Sequence, residues 1–256
     1  MIDRNKQQYE AAGKKLELPE NGLASEQTGN NVNIAVNLRK IPLLAQLTAS
    51  EMATVKKELQ VRRYARREVI IKKKANGDHL LFLLSGRLQA IDMTDEGRVI
   101  GLQLLSAGEF FGETTLINQS LHTASVIALS EVLVAFLPCL TALHLFTHSP
   151  PVASQIQKHL AQKVQLDNKF RAMLSINNTA KRLSRFLVLM KQKSVGKQEL
   201  VENLPTHQEI ASMINTSRET VTRALLTLTH QGIIRKDAHR LIIVRPEALQ
   251  KMTKNL

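Results

Sequence analysis

Thr206-His207-Gln208-Glu209-Ile210-Ala211-Ser212-Met213-Ile214-Asn215-Thr216-Ser217-Arg218-Glu219-Thr220-Val221-Thr222-Arg223 is the stretch on which the reading of this chain turns. Thr206 followed three residues later by Glu209 is a capping box, the mark of a helix start. Asn215 follows, a residue that tolerates the left-handed backbone of a tight turn. Thr216 and Glu219 repeat the box for a second helix. Two short helices joined by a tight turn form a helix-turn-helix, whose second helix enters the major groove of DNA.

The side chains of that second helix suit base readout. Arg218 and Arg223 can each fork onto the O6 and N7 of a guanine, and Glu219 can accept from a cytosine amino group. Glu219 and Arg223 are four residues apart, so the spacing predicts an ion pair on one face. Val221, Leu225 and Leu228 form the opposite, apolar face and are expected to pack on Ile210 and Ile214. Ser217 and Thr220 offer hydroxyls to phosphates near the positive helix end. One such helix alone would be an ordinary amphipathic helix with a surface ion pair. Two capped helices at this spacing, in a basic chain, favour DNA.

Composition agrees. The 256 residues carry a net charge of +13, which calls for a polyanionic partner. From Thr179 onward, basic residues outnumber acidic ones by more than two to one. Hydrophobic residues make up 43% and aromatics only 4%, so packed cores are expected and they are aliphatic. The single cysteine, Cys139, excludes a disulfide within the chain and a cysteine-ligated iron–sulfur cluster. Its apolar surroundings predict a buried, inert thiol. A polar N-terminus and the lack of a long apolar run predict a cytoplasmic protein without membrane contact.

Upstream, residues 1–33 read as a mobile polar extension with a short helix around Lys6 to Leu16. Residues 38–60 read as helical, with Thr48 or Ser50 capping a helix through Leu59. Short apolar runs then alternate with turns: Glu68–Ile71, Leu80–Leu84, Arg87–Ile91, Val99–Leu105, Thr123–Leu129 and Glu131–Phe136. Gly, Asn and Asp turns between them predict an antiparallel barrel or sandwich. Pro150-Pro151 opens a helix of about 25 residues, roughly 37 Å long. Its stripe of Val152, Ile156, Leu160, Val164, Phe170 and Leu174 is expected to bury against a second copy, giving a two-fold dimer. A helix from Ala180 to Met190 and a polar loop from Lys191 to Leu204 precede the helix-turn-helix. Gly232–Arg235 and Arg240–Val244 then form a hairpin wing, with Arg235, Lys236, His239 and Arg240 near its tip.

This order resembles the cyclic-AMP receptor protein and fumarate–nitrate reductase regulator family of bacterial transcription factors, from about Asn37 to Met252. The resemblance implies an α+β chain. An N-terminal antiparallel β-roll (34–150) is followed by a dimerisation helix (151–178) and a C-terminal winged helix-turn-helix (179–256). It implies that Arg218, Glu219 and Arg223 read a TGTGA-like half-site of double-stranded DNA, and that Thr206, His207, Gln208, Ser217 and Thr220 contact phosphates. His207 stands where the family pattern has Arg, so that contact is expected to be weaker or pH-sensitive. RNA polymerase is the further partner implied.

Gly108-Glu109-Phe110-Phe111-Gly112-Glu113 with His122-Thr123-Ala124-Ser125-Val126 resembles the family's phosphate-binding cassette. The resemblance implies that Gly112 brings the backbone to a cyclic nucleotide and that Glu113 accepts from its ribose hydroxyl. The Arg that pairs with the cyclic phosphate is replaced by His122, if one residue is gapped, or by Thr123, if none is. A neutral imidazole gives one donor where a guanidinium gives a permanent fork. Cyclic AMP is therefore expected to bind weakly or not at all; the alternatives are another cyclic nucleotide, a cyclic dinucleotide, another anion, or no effector. Asp167 and Asn168 fall near the family's base-contacting position; the competing reading places them in a solvated dimer seam.

No Walker motif, dinucleotide fingerprint or nucleophile–base pair is present, so no catalytic residue is assigned. His79, His144, His148 and His159 lack metal-ligand spacing beside carboxylates, and no metal site is assigned. Arg62–Arg67 and Lys72–Lys74 read as solvated basic strand faces. The functional expectation is a homodimeric DNA-binding regulator. The alternative is an effector-binding sensor, for a nucleotide, metal or haem, whose DNA head is secondary or inactive.

Overall fold

The structure is a computed structural model that describes residues 29–31, 37–193, 199–202, 204–237 and 240–254. Its α+β architecture begins with two antiparallel sheets. One runs, in spatial order, β1 (Asn30–Asn31), β2 (Gln60–Tyr64), β9 (Val132–Pro138), β4 (His79–Ser85) and β7 (Phe110–Phe111). The other runs β3 (Val69–Ile71), β8 (Ser125–Ala128), β5 (Arg87–Met93) and β6 (Val99–Ser106).

The unbroken apolar run Leu80–Leu84 has a direct explanation in this packing. Strand side chains alternate between faces, and β4 is covered on both. Leu81 and Leu83 point between the sheets, where they meet Tyr64, Leu88, Phe111, Val134 and Phe136. Leu80 and Phe82 point outward, where Ala135 and Leu137 of β9 share a second core with helices. Those helices are α1 (Ala49–Glu58), α3 (Cys139–His148) and α4 (Pro150–Leu174). They contribute Met52 and Val55, Ala142 and Leu145, and Val152 and Ile156. The region 38–60 is therefore only partly α-helical. Two 3-10 turns, at Leu38–Lys40 and Pro42–Leu44, precede α1, and Thr48 rather than Ser50 caps it through a full box with Glu51.

The C-terminal unit has its own core. Helix α5 (Thr179–Met190) buries Leu183, Phe186 and Leu187 against α6 (His207–Met213), α7 (Arg218–His230) and α8 (Pro246–Lys254). A four-stranded antiparallel sheet closes it in the order β10 (Gln192–Lys193), β11 (Glu199–Val201), β13 (Arg240–Ile243), β12 (Ile234–Asp237). Residues 191–204, expected as loop, thus supply two short strands. β10 pairs with β11, whose other partner β13 lies some forty residues away, and strands of two and three residues leave no local period. Helix α8 also carried no assignment from sequence.

The long helix packs within its own chain at both ends. Val152 and Ile156 are buried in the roll's outer core and Leu160 packs against it. At the far end, Met173 is fully buried in the C-terminal core and Phe170 packs there too. Four of the six stripe residues expected to face a second copy are therefore used within the chain; Val164 and Leu174 remain exposed. The N-terminal extension lies outside the described residues, including its expected helix, except that Asn30 and Asn31 pair with Arg63 and Arg62 as a strand.

The two units also touch directly. Gln89 of β5, buried, places Nε2 3.3 Å from Ser212 Oγ on α6. A Cβ at Gly101 of β6 would lie 2.8 Å from Met213 Cγ and 2.9 Å from Ser212 Oγ. Glycine there lets the first helix of the helix-turn-helix lie against the β5–β6 hairpin.

Phe136 meets Tyr64 in a tilted pair with ring centroids 6.3 Å apart, carries the Arg62 guanidinium 5.0 Å above its ring, and is almost fully buried. Phe136→Ala is expected to lower stability by about 3–5 kcal/mol. Chemical denaturation followed by circular dichroism measures it; a loss below about 1 kcal/mol would contradict this account of the roll's core.

Candidate nucleic-acid interface and effector pocket

The helix-turn-helix forms as its caps dictate. Thr206 accepts from the Glu209 backbone N–H, and the buried Glu209 carboxylate accepts in return from the Thr206 N–H at 3.0 Å. Asn215 takes φ +52°, and the Thr216 N–H bonds to Ala211 O at 3.0 Å to close the turn. The chain therefore enters the second helix one residue later than the Thr216–Glu219 box predicts. The cap is Ser217, whose hydroxyl accepts from the Thr220 N–H at 3.2 Å.

Val221, Leu225 and Leu228 are buried with Ile210 and Ile214, as their spacing requires. Arg218, Glu219 and Arg223 all stand exposed on the other side. Among the described residues no ion pair joins Glu219 to Arg223; the expected pair is absent. Both side chains extend into solvent, where an exposed pair gains little. Thr206, Gln208 and Ser217 are exposed and His207 and Thr220 partly so. Arg182, unassigned from sequence, donates to Ile176 O at 2.9 Å and to Asn215 O at 3.1 Å. It ties the end of the long helix to the turn of the reading head. In the wing, Arg235, Lys236 and Arg240 are exposed; His239 lies outside the described residues.

His207 Nδ1 lies 2.7 Å from Thr222 Oγ1, and that hydroxyl donates to Arg218 O at 3.0 Å. With its proton spent there, the hydroxyl accepts from His207, so Nδ1 carries the ring hydrogen. Nε2 of the neutral ring is then an acceptor and cannot donate to a phosphate. Partial burial, then Lys236 and Arg218, push the ring's pKa below its ordinary value. A phosphate contact by His207 thus requires proton uptake.

The cassette residues converge in the roll. Gly112 has φ +95°, and a Cβ there would lie 3.0 Å from His79 O and 3.9 Å from His122 Cε1. It starts the short helix α2 (Glu113–Asn118). Glu113 is wholly buried; Oε1 lies 2.8 Å from Lys163 Nζ and 3.7 Å from His159 Nε2, and Oε2 has no hydrogen-bond partner. Burial alone would raise its pKa, but the His159 contact and the Lys163 ammonium reverse that and hold it at about 2. His122 Nδ1 sits 3.2 Å from Thr115 Oγ1. Burial lowers its pKa against the pull of Asp78 and Glu113, so the ring is neutral near pH 7.

Gly112, Glu113 and His122 are thus brought together, whereas Thr123 is exposed. Asp167 and Asn168 are exposed on α4, about one turn beyond Lys163. Lys163 and His159 were missed as pocket residues. The signal available was their i, i+4 spacing, but their partner is 50 residues away for Lys163. Cys139 is half-buried rather than buried, and burial pushes its thiol pKa up.

Family comparisons agree with this geometry. Residues 61–147 match the cyclic nucleotide-binding domain, and residues 181–252 match the Crp-like helix-turn-helix domain. This chain belongs to the Crp/Fnr family of transcriptional regulators. It is similar to the CRP-like cAMP-activated global transcriptional regulator of Mycobacterium tuberculosis, 26% identical over 206 residues, covering 79% of this chain and 92% of that protein. It is also similar to the cyclic AMP receptor protein of Thermus thermophilus, 27% identical, covering 76% of this chain and 88% of that one. The structure of FixK2 from Bradyrhizobium japonicum superposes with a TM-score of 0.68 at 18% identity, covering 77% and 98% of the two chains, a likeness of fold. The protein is a DNA-binding transcriptional regulator with a cyclic-nucleotide-binding-type domain, not an enzyme. No helix among the described residues is long and apolar enough to cross a membrane.

Because DNA phosphate rewards the protonated His207 ring, operator affinity is expected to rise as pH falls from about 8 to about 6. His207→Arg should remove that pH dependence and steepen the salt dependence by about one counterion. Fluorescence anisotropy at two pH values and several salt concentrations measures both; a flat pH profile in the wild type would contradict the tautomer assignment.

Proposed function

We propose that the protein is a cytoplasmic homodimer that reads a TGTGA-like palindrome through Arg218, Glu219 and Arg223 of each copy and acts with RNA polymerase. The observation that carries this reading is the exposure of those three side chains on a helix capped by Ser217 and buried by its opposite face. Thr206, His207, Gln208, Ser217 and Thr220 are assigned to phosphates, with the basic wing alongside. Two heads in successive major grooves sit about 34 Å apart.

Dimerisation is assigned to the long helix, with the seam drawn through Val164. Support comes from the exposure of that large apolar side chain in mid-helix, while Val152, Ile156 and Met173 are buried within the chain. The roll is of the nucleotide-binding type, and cyclic AMP is read as a poor ligand for it. Neutral His122, hydrogen-bonded to Thr115, replaces a permanent cation at the phosphate position.

Selection from random double-stranded DNA should enrich a palindrome with at least two G·C pairs per half-site. Arg218→Ala and Arg223→Ala should each cost about 1–3 kcal/mol and relax preference at one position, and Thr220→Ala should weaken all sequences alike. A motif of A·T pairs alone would rule out this readout.

Val164→Asp is expected to split the dimer, since two carboxylates would meet across the two-fold axis in an apolar seam. Leu160→Asp is a poorer probe, because Leu160 also packs on its own roll. Sedimentation at micromolar concentration decides; a monomeric wild type, free and on DNA, would refute the assignment.

A further inference from the structure

Helix α4 is pinned to the roll by more than apolar contact. Val152 and Ile156 lie in the roll's core. One turn on, the His159 ring packs on Phe110 of β7 with centroids 4.2 Å apart. Another turn on, Lys163 reaches Glu113 Oε1 at 2.8 Å. The same face of one helix therefore holds the roll over three turns. Its far end carries Met173 into the core of the DNA head, and Arg182 continues the link to the turn at Asn215. Whatever fixes α4 against the cassette fixes the head.

A nucleotide entering the cassette would find no permanent cation at His122 for its phosphate. A hydroxyl could still reach Glu113 Oε2, which has no hydrogen-bond partner, but Oε1 is already neutralised by the Lys163 ammonium at 2.8 Å, so the helix is held to the cassette whether or not a ligand is present.

We propose that Lys163, with His159, is a built-in latch on Glu113 that fixes the long helix to the roll, so that the regulator binds its operator without any bound nucleotide. This rests on the DNA-reading assignment above. Lys163 acts here as a positioning residue: through Glu113 it holds the rod that carries the reading head.

The test uses the full chain and the operator selected from random DNA, with affinity read by fluorescence anisotropy. Wild-type affinity should be unchanged by cyclic AMP or cyclic GMP at millimolar concentration. Lys163→Met should weaken operator binding by about tenfold or more, since it removes one partner of a buried pair, while Lys163→Arg should keep it. The double variant Glu113→Gln with Lys163→Met removes the stranded charge. It should regain the thermal midpoint of the wild type but not its operator affinity.

Three results overturn the latch: a tenfold gain in wild-type affinity with either nucleotide, unchanged binding by Lys163→Met, or recovery of operator binding in the double variant. The last would mean that Lys163 only neutralises a buried carboxylate. Failure of the wild type to select any operator, with or without nucleotide, would overturn the DNA-reading assignment and the latch together.

Discussion

One helix lies in two cores, and the remaining architecture follows from that constraint. A 25-residue helix with apolar side chains at only part of its length cannot be stable alone; it needs tertiary burial of those residues. Here the N-terminal turns bury Val152 and Ile156 under the roll's first sheet, and the last turn buries Met173 among the helices of the head. The exposed middle is left for other work. The helix is therefore a rigid connector whose position each unit can sense, rather than a linker between independent domains.

Electrostatics sharpen this connection. A buried carboxylate is expensive unless a cation and hydrogen bonds compensate it. Glu113 sits at the start of α2 behind Gly112, whose left-handed backbone few other residues would adopt, and its compensation comes from Lys163 and His159 on the long helix. The roll's own histidine, His122, is neutral and turned to Thr115. Positive charge at the cassette is thus supplied by the connector and not by the roll. In the head the division is reversed. The apolar side of α7 is sealed by α6, and the charged side, free of internal ion pairs among the described residues, keeps its full capacity to meet phosphates and base edges.

Contact between the units adds a second line of communication. Gln89 and Gly101 on the β5–β6 hairpin admit Ser212 and Met213 of α6 at close range. The first helix of the reading motif is thereby held from two sides, by the hairpin of the roll and by the hinge through Arg182. Directional polar contacts of this kind fix orientation more than they add stability.

What the sequence determined by itself was the caps, the turn and the apolar periods, each encoded within one turn or one strand. The Thr206–Glu209 box, the apolar period of Val221, Leu225 and Leu228, and the positive φ of Asn215 are local physics, and each is found where the residues put it. So is the strand pattern of the roll, although the run Leu80–Leu84 did not reveal that both of its faces are covered. The Ser217 cap shows the resolution of such reading: two hydroxyl residues in succession leave a one-residue ambiguity that only the turn's closure by Thr216 resolves. The tertiary structure alone decided which partner each long-range side chain takes. A stripe on α4 looks the same whether a second copy or the chain's own roll covers it, and β11 is a strand because β13, far along the chain, is there to pair with it. Lys163 reads as a break in an apolar stripe until the fold brings a buried carboxylate from 50 residues away against it. Charge pairing over such distances leaves no period in the chain, because Coulomb attraction depends on separation in space and not along the backbone.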